Sequence, residues 1–564
     1  MGQVGLSVAF ALALSPLIRP TALKLLASDR FVATALSVLY DDTQVRTPTT
    51  AAPSLYQLRV EAQVAEVDPR FLSVAIDASQ VAGGHFWSAD GHVELLVGST
   101  RQAPFDFTRA GLAPLTAALA PAYLRIGGTE ADAVYYAPTA AEPKRDAALP
   151  QGYDLRLTRN QWDAVNGFVR RTGLDLMFTV NAGPGPRDKR GDWRPHQLEP
   201  LLRYSREQGY EVPVWELGNE VNAFWLTHGV RAHVGGQRYA ADFERFRRAV
   251  QRHFPQAKVA GAAAFAWPVM GESPPALVEP FLRHSQQPPD IVTWHYYPQQ
   301  SRRCWSATRR ASPERLLEPA YLDEFGRWSE HFLDMIDDQE MRPSVELWLG
   351  ETGGAQCGGE PGVSDRYASS LWWLDQLGMA ARSGQPVVVR QTLVGADYGL
   401  LDPTTLRPRP DYWASLLWKR LMGTRVLEVT AQASNPHLRV YAHCHADGSG
   451  RPVVFALNLT QSHQLALQLA GQGEGGELFE VTARGLQAET VLLNGMPLQQ
   501  LPSGALPELR GRKLKPLEVS AVGQGTGAKQ VTRVIAPLGY TFWVLPQSVE
   551  ACQGQAPTHN HAAL

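Results

Sequence analysis

The chain has 564 residues, which is enough for about three to four domains, or for one large barrel with a smaller partner. Its 53 basic and 55 acidic side chains leave a formal net charge of -2, a balance that argues against a dedicated nucleic-acid-binding protein. The 44% hydrophobic content excludes a mostly disordered chain, and four cysteines in this length exclude a disulfide scaffold. No internal apolar run reaches the roughly 20 residues of a membrane-spanning helix, so no stable membrane insertion is expected.

The N-terminal residues 1–54 are interpreted as a leader and linker. Gly5–Ile18 is apolar and about as long as the core of a signal peptide, but the positively charged start that normally precedes such a core is absent. A signal segment and a leader without a targeting role therefore both remain open. At the other end, the polar residues 554–564 are expected to form a disordered tail.

From Phe71 onward, strand-like runs alternate with helix-like segments. The runs are Leu72–Asp77, Tyr123–Ile126, Leu176–Asn181, Val214–Gly218, Lys258–Ala262, Ile291–His295, Leu347–Glu351 and Val387–Gln391. One intervening segment, Asp242–Phe254, repeats apolar residues at helical spacing. Another helix is predicted to run from Ser364 as its N-cap through Arg382, with Gly384 just beyond its end. Eight such βα units predict a closed (β/α)₈ barrel over residues 71–423.

Beyond Thr424 the pattern changes to short strands separated by turn residues. The strand-like runs are His437–Cys444, Val453–Asn458, Leu465–Leu469, Thr490–Leu493 and Tyr540–Leu545. Asn494-Gly495 is a strong turn signal. This pattern predicts an antiparallel β-sandwich over residues 424–553, packed on the barrel. Leu55–Glu66 also alternates like a strand, so residues 55–70 are expected to join the sandwich.

Two carboxylates are predicted to meet at the mouth of the barrel, because active sites of this architecture lie at the C-terminal ends of the strands. The fourth strand ends in Trp215–Glu220 (WELGNE) and the seventh in Trp348–Glu351 (WLGE). Paired carboxylates across a cleft suit glycoside hydrolysis, with retention at a separation of about 5–5.5 Å and inversion at a wider one. A lone Glu at a strand end is more often half of an ion pair. Arg125 and Arg390, at the ends of strands two and eight, are expected to hold a carboxylate ionised.

Several motifs resemble those of the heparanase family, glycoside hydrolase family 79. They are Val67–Ala78, Ile126–Thr129, Trp215–Glu220, Val292–Tyr297, Leu349–Thr352, Val389–Gln391 and Pro410–Trp413. The resemblance runs from about Val67 to about Cys552. It implies a retaining β-glucuronidase that needs no metal and no cofactor, with a uronic-acid-containing glycan as its substrate.

The resemblance also implies individual roles. Glu220 would be the general acid/base, Glu351 the nucleophile, and Asn219 the group that binds the sugar 2-hydroxyl. Tyr297 would help to set the charge state of Glu351, and His295 would line the same floor. Other positions that match family contacts to the substrate are Asp77, Thr129, Gly358, Gly359, Gln391 and Tyr398. Of these, the amides around the two glycines and the Tyr398 phenol are expected to bind the uronic carboxylate.

The chain departs from the family pattern in its mouth loops. Ser79 stands where heparanases carry asparagine, Gln356-Cys357 replaces a Tyr-Gly pair, and Ala263–Pro275 lacks the basic cluster of sulfate-binding heparanases. Basic residues occur in the loops after strands three and six: Arg187, Lys189, Arg190, Arg194, Arg302, Arg303, Arg309 and Arg310. Such clusters would favour a polyanionic chain, although solvated surface arginines are an equal alternative. The short segment Tyr136–Arg159 suggests a single chain that needs no proteolytic activation.

The cysteines bear on the compartment. The resemblance implies a disulfide between Cys444 and Cys552, which would require export and predicts a secreted or periplasmic protein. Cys304 and Cys357 both fall in mouth loops and are expected either to pair or to remain free thiols.

Two other functions stay open beside cleavage inside a glycosaminoglycan: an exo-β-glucuronidase for small glucuronides, and a non-catalytic glycan-binding relative.

Overall fold

Eight parallel strands close into a barrel. The computed structural model describes residues 54–87, 99–138, 148–266, 274–304, 308–469, 475–514 and 532–554. In chain order the barrel strands are Leu72–Asp77, Tyr123–Gly127, Asp175–Val180, Val214–Leu217, Lys258–Phe265, Ile291–Tyr296, Glu346–Thr352 and Val388–Arg390. The eighth strand pairs with the first, with Val388 opposite Leu72. The prediction of a (β/α)₈ barrel is therefore confirmed.

Helices surround the barrel and bury one apolar face on it. In chain order they are Ala78–Ala82, Leu112–Ala117, Arg159–Thr172, Leu198–Glu207, Phe224–Thr227, Gly236–His253, Pro274–His284, Pro313–Leu316, Pro319–Asp337, Tyr367–Arg382 and Pro410–Leu421. The helix expected after Ser364 begins at Tyr367 instead. The N-cap prediction was wrong because the Ser364 hydroxyl accepts a hydrogen bond from the Glu360 amide, in the loop that precedes the helix.

The lower end of the barrel is closed by apolar side chains. They form one buried cluster: Ala75, Tyr123, Met177, Val214, Ala260, Ile291, Trp348, Val387 and Val389. The Tyr123 and Trp348 rings lie 5.2 Å apart across this floor. Because the interior is filled there, polar side chains further along the strands are confined to the opposite, C-terminal mouth.

The C-terminal region and one strand that precedes the barrel form an 11-stranded sheet. Its strands are Ser54–Glu66, Met422–Ala431, Leu438–His445, Pro452–Asn458, Leu465–Leu469, Glu477–Thr482, Leu492–Leu493, Met496–Pro497, Arg512–Lys513, Thr532–Ile535 and Tyr540–Val544. Strand pairs in this sheet are antiparallel within the described residues, except that Ser54–Glu66 runs parallel to Leu465–Leu469. Two further short pairs join His85–Trp87 to Ser99–Arg101 and Val134–Ala137 to Leu155–Thr158.

Both faces of the sheet are buried. On one face Phe455 and Phe542 pack against Trp418 of the last barrel helix. On the other face, Ile535 and Leu478, which come from strands near opposite ends of the sheet, share a second core. The sheet therefore folds over on itself as a sandwich, and one layer lies on the barrel.

The described ranges leave out nearly all of the predicted leader and tail. The predicted leader lies outside them apart from residue 54, and so does the tail from residue 555 onward. Within the ranges, no helix combines the length and the apolar character needed to cross a bilayer.

Candidate active site

The turn after the fourth barrel strand projects Asn219 and Glu220 into the mouth. Gly218 and Glu220 both adopt left-handed backbone angles, with φ of +77° and +52°. The Asn219 amide donates to Asp132 Oδ2 at 2.8 Å, and the Glu220 amide donates to the Ala263 carbonyl at 2.9 Å. These two bonds hold an otherwise unfavourable turn in place, as is common where backbone strain serves a site.

Glu351, near the end of strand seven, faces Glu220 across the mouth. One carboxylate oxygen of each lies within 4.8 Å of the other, and both groups are also within that distance of a His295 ring nitrogen. Only 6% of Glu351 is exposed, so this meeting point is shielded from bulk water. The two carboxylates singled out from the sequence are therefore brought together.

Each oxygen of Glu351 accepts a hydrogen bond. Arg125 Nη1 donates to Oε2 at 2.8 Å, and the Tyr297 hydroxyl donates to Oε1 at 2.7 Å. These two donors fix the position of both carboxylate oxygens, as an attacking nucleophile requires.

Glu220 lies in a different environment. Burial raises the pKa of Glu220 to about 7, and the positive charge of Arg125 offsets this only in part. Its Oε1 lies 3.1 Å from His295 Nδ1. Burial also lowers the pKa of His295 to about 4, so the imidazole is neutral. Because Arg125 Nη2, 3.4 Å away, can only donate, His295 Nε2 accepts and Nδ1 carries the proton toward Glu220.

Arg125 connects these groups. Its fully buried guanidinium also donates to Glu216 Oε2 at 2.9 Å and to Asn219 Oδ1 at 2.8 Å. Since the side-chain Oδ1 of Asn219 accepts from Arg125, the side-chain NH₂ group of Asn219 is left to donate to a ligand.

Arg390 does not join this network. The strand alternation that turns Val389 into the barrel turns Arg390 outward. There its guanidinium donates to Asp411 Oδ2 at 2.7 Å and lies over the rings of Trp372 and Trp373. The expectation that it orients the paired carboxylates is therefore corrected: it supports the outer helices.

Further polar groups surround the space beside the pair. Asp77 ends strand one, and burial raises its pKa to about 7. Thr129 follows Gly128, whose φ of +93° and contact with Asp77 leave no room for a side chain. Gln391 follows strand eight, and its buried Oε1 has no hydrogen-bond donor within the described residues. An unsatisfied buried acceptor is costly unless a ligand supplies its partner.

The loop after strand seven contains a glycine turn. Gly358 and Gly359 are buried with φ of +84° and +82°, and no acceptor for either amide is found among the described residues. The Gly358 carbonyl accepts from the amides of Asp397 at 2.8 Å and Tyr398 at 3.2 Å. Successive free amides in a turn form a concave anion site.

Three acidic groups near the pair were not among the residues singled out as site residues. Glu216 pairs with Arg125, Asp132 holds the Asn219 amide, and burial beside Asp77 raises the pKa of half-buried Glu130 to about 8. Glu130 follows Thr129 directly and Asp132 lies two residues further on, so acidic residues just after a strand end were the available signal.

The same mouth contains the only described trio of side chains with a metal-like donor spacing: Glu220, His295 and Glu351. However, the Arg125 guanidinium contacts Glu351 at 2.8 Å and would repel a cation there. The arrangement suits proton transfer and nucleophilic attack better than metal binding.

Most of the mouth-loop arginines are neutralised. Ion pairs join Arg187 to Asp242, Arg194 to Asp188, Arg302 to Glu360, Arg303 to Asp397 and Arg309 to Glu324. Their charge is directed at the protein itself, which weakens the case for a polyanion-binding cluster.

The cysteines form two disulfides, Cys304–Cys357 and Cys444–Cys552.

Comparison with known proteins places this site in a family. The family described as "Glycosyl hydrolase family 79, N-terminal domain" matches residues 97–378. Heparanase from Gallus gallus is 31% identical over 508 residues, or 82% of this chain and 91% of that protein. A Homo sapiens protein named inactive heparanase-2 is 30% identical over 385 residues, or 64% of this chain and 62% of its own.

The fold is shared more widely. The solved alpha-L-arabinofuranosidase of Thermotoga maritima superposes with a TM-score of 0.61, covering 87% of this chain and 99% of that one at 13% identity. That likeness concerns the fold alone, whereas the match to heparanase extends over nearly the whole relative. This chain is therefore a glycoside hydrolase and belongs to family 79, the family that includes the heparanases.

Proposed function

We propose that this protein is a retaining β-glucuronidase of the heparanase type, which cleaves β-linked glucuronic acid in a glycosaminoglycan or related glycan. The observation that carries the proposal is the meeting of two differently held carboxylates, Glu220 and Glu351, beside a turn with two free amides. Their closest oxygens lie within 4.8 Å, which favours the retaining geometry of about 5–5.5 Å between carboxyl groups over the wider inverting one.

In the proposed mechanism, Glu351 attacks the anomeric carbon while Glu220 gives its proton to the departing glycosidic oxygen. The glycosyl-enzyme ester forms as the glycosidic bond breaks. Glu220, now ionised, takes a proton from water, and the water oxygen displaces Glu351 from the anomeric carbon. Asn219 holds the 2-hydroxyl, and Tyr297 and Arg125 compensate the changing charge on Glu351.

Recognition of a uronic acid is assigned to the glycine turn. A C5 carboxylate would accept from the amides of Gly358 and Gly359 and from the Tyr398 hydroxyl. Asp77, Thr129 and Gln391 are proposed to bind the ring hydroxyls, and His295 is proposed to orient Glu220.

Removal of either carboxylate tests the roles. We expect Glu351→Ala and Glu220→Gln to lower kcat/KM for an aryl β-glucuronide by at least about 10²-fold, because general acid and nucleophile each contribute that much or more. Circular dichroism should show that both variants keep the wild-type fold. A variant that keeps more than about a tenth of the wild-type rate would contradict its assigned role.

Substrate preference distinguishes cleavage inside a glycosaminoglycan from exo-cleavage of small glucuronides. An enzyme that cuts inside chains releases oligosaccharides from heparan-type polymers, whereas an exo-enzyme prefers aryl glucuronides and releases single sugars. Product analysis on unsulfated and sulfated polymers distinguishes them, and time-resolved NMR of the first anomer released tests retention. Since most mouth arginines are paired internally, we expect the unsulfated polymer to be cleaved at least as well as the sulfated one.

The third alternative is a non-catalytic glycan-binding protein, and one relative carries the word inactive in its name. Both Glu220 and Glu351 are present here, Glu351 with a donor at each oxygen and Glu220 beside His295, an arrangement that binding alone does not require. Glycan binding without any turnover by the wild type would favour this alternative.

We further propose that the enzyme works in an oxidising compartment, outside the cytoplasm, because both disulfides need one. We also propose that the chain divides into a barrel over 71–423 and a sandwich over 424–553, with residues 55–70 belonging to the sandwich as an additional strand. Thiol titration of protein isolated from its native source, before and after reduction, tests the first point.

A further inference from the structure

The loop after strand six lies against the glycine turn at several successive residues. The Cys304–Cys357 disulfide joins the loop to the residue that precedes Gly358. Glu360, which follows Gly359, accepts from the Ser301 hydroxyl at 3.0 Å and from the Arg302 amide at 2.8 Å. The glycine turn is therefore held from both sides by one short segment, Ser301–Cys304.

Arg303 stands at the centre of this segment. Its guanidinium is almost fully buried, with Nη1 donating to the Gly359 carbonyl at 2.7 Å and Nη2 to Asp397 Oδ2 at 2.5 Å. Asp397 in turn donates its amide to the Gly358 carbonyl at 2.8 Å. One planar guanidinium thus fixes the carbonyl side of the turn and the residue next to Tyr398.

The turn has little freedom to compensate if this support is lost. A Cβ on Gly358 would lie 2.4 Å from the Trp87 Cβ, and one on Gly359 would lie 2.7 Å from the Tyr398 amide nitrogen. The peptide planes are therefore packed between Trp87 and Tyr398, and their carbonyls point to Arg303 and to the Asp397 segment. With the Gly358 carbonyl held by the Asp397 and Tyr398 amides, the Gly359 amide, which shares its peptide plane, faces the opposite side, where an anion would be bound. The Gly358 amide shares its plane with the carbonyl of Cys357, the residue that the disulfide holds.

We propose that Arg303, together with Asp397 and the Cys304–Cys357 disulfide, is the positioning device that makes this site selective for a sugar carboxylate. The inference rests on the proposed β-glucuronidase function and deepens it. Arg303 acts through the turn: its side chain is fully buried, each Nη atom donates to a protein oxygen, and its Nε is buried without an acceptor among the described residues. It therefore does not touch the substrate itself.

The test compares two ligands that differ only at C5. Phenyl 1-thio-β-glucuronide carries the carboxylate, phenyl 1-thio-β-glucoside carries a neutral hydroxymethyl group, and their sulfur bridge resists cleavage. We expect Arg303→Gln to weaken binding of the thioglucuronide by about 10-fold to 100-fold, the range for hydrogen bonds to a charged group. Binding of the thioglucoside should change by less than about 3-fold.

The matched control is Arg439→Gln, which removes a largely buried arginine paired with Asp323 at 2.7 Å, on the barrel–sheet contact. It should leave the preference for the thioglucuronide unchanged. If Arg303→Gln fails to fold, Asp397→Asn and the double variant Cys304→Ala/Cys357→Ala carry the test, and each should reduce the preference at least about 3-fold. Arg303→Lys keeps the positive charge but loses the planar guanidinium with its two donating nitrogens. Its preference for the thioglucuronide should lie between those of the wild type and Arg303→Gln.

Equal losses for both ligands, or an unchanged thioglucuronide affinity in every one of these variants, would overturn the inference. A wild-type protein that binds the thioglucuronide selectively but never hydrolyses the oxygen-linked aryl glucuronide would refute the proposed activity instead. Selective binding that depends on Arg303 would support the positioning role in that case as well.

Discussion

At the scale of single residues, the site separates two chemically identical side chains by their surroundings. Glu351 accepts from a guanidinium and a phenol, whereas Glu220 is buried beside a neutral imidazole. The nucleophile that must attack and the acid that must donate are thus distinguished by contacts from Arg125 on strand two and from His295 and Tyr297 at the end of strand six.

The pKa of Glu220, raised by burial to about 7, predicts the alkaline limb of the pH profile. Glu220 must be protonated in the first step, so kcat/KM for an aryl β-glucuronide should fall about tenfold per pH unit above about pH 7. Rate measurements from pH 5 to 9 test this.

The control for that limb is Glu220→Gln, assayed with a 2,4-dinitrophenyl glucuronide, whose leaving group needs no acid. The limb should vanish in this variant. If it persists with the same midpoint, another group controls the alkaline fall, and the assignment to Glu220 is wrong.

At the scale of elements, the junction after strand two shows how close packing restricts a residue. Gly128 has φ +93° and ψ +168°, a region that is essentially limited to glycine, and a Cβ would lie 1.9 Å from Asp77 Oδ2. We expect Gly128→Ala to lower the free energy of unfolding by about 3 kcal/mol or more. It should also reduce kcat/KM at least tenfold, since Asp77 must move.

Gly209→Ala is the matched control, because Gly209 also has a positive φ (+64°) but nothing within 4 Å of its Cβ position. Chemical denaturation should show a loss of about 1 kcal/mol for this variant, without a kinetic effect. Equal losses in the two variants would mean that the contact with Asp77 has no energetic consequence.

Elements also show where local sequence signals fail. Strand runs such as Leu72–Asp77 were predictable, because continuous apolar runs between helices are typical of buried parallel strands. The start of the helix at Tyr367 was not, because the Ser364 hydroxyl accepts from the Glu360 amide within the preceding loop and does not cap the helix. The outward direction of Arg390 depends on strand register, which tertiary pairing decides.

At the scale of the whole molecule, the sandwich is tied together near its C-terminal end. Cys444 and Cys552 are separated by 108 residues and belong to the second core. Removing a native bridge of this span should lower the free energy of unfolding by about 2–5 kcal/mol, because the unfolded chain gains conformations.

We therefore expect Cys444→Ala/Cys552→Ala to unfold at lower denaturant concentration but to keep kcat/KM at 25 °C within about twofold, since the bridge lies in the sheet. Denaturation curves and steady-state kinetics on the same preparations check this. A loss of activity without a loss of stability would show that the sheet shapes the site directly.

The sequence by itself determined the barrel, the sheet domain and the two carboxylates at the ends of strands four and seven, because strand and helix periodicity and short motifs are local properties of the chain. Only the tertiary structure decided which charges meet. Arg125 contacts the pair and Arg390 does not, most of the mouth-loop arginines form ion pairs within the protein, and Arg303 donates to the glycine turn. The physical reason is that hydrogen bonds and ion pairs act over a few ångströms, and residues far apart in the chain come that close only when the barrel closes.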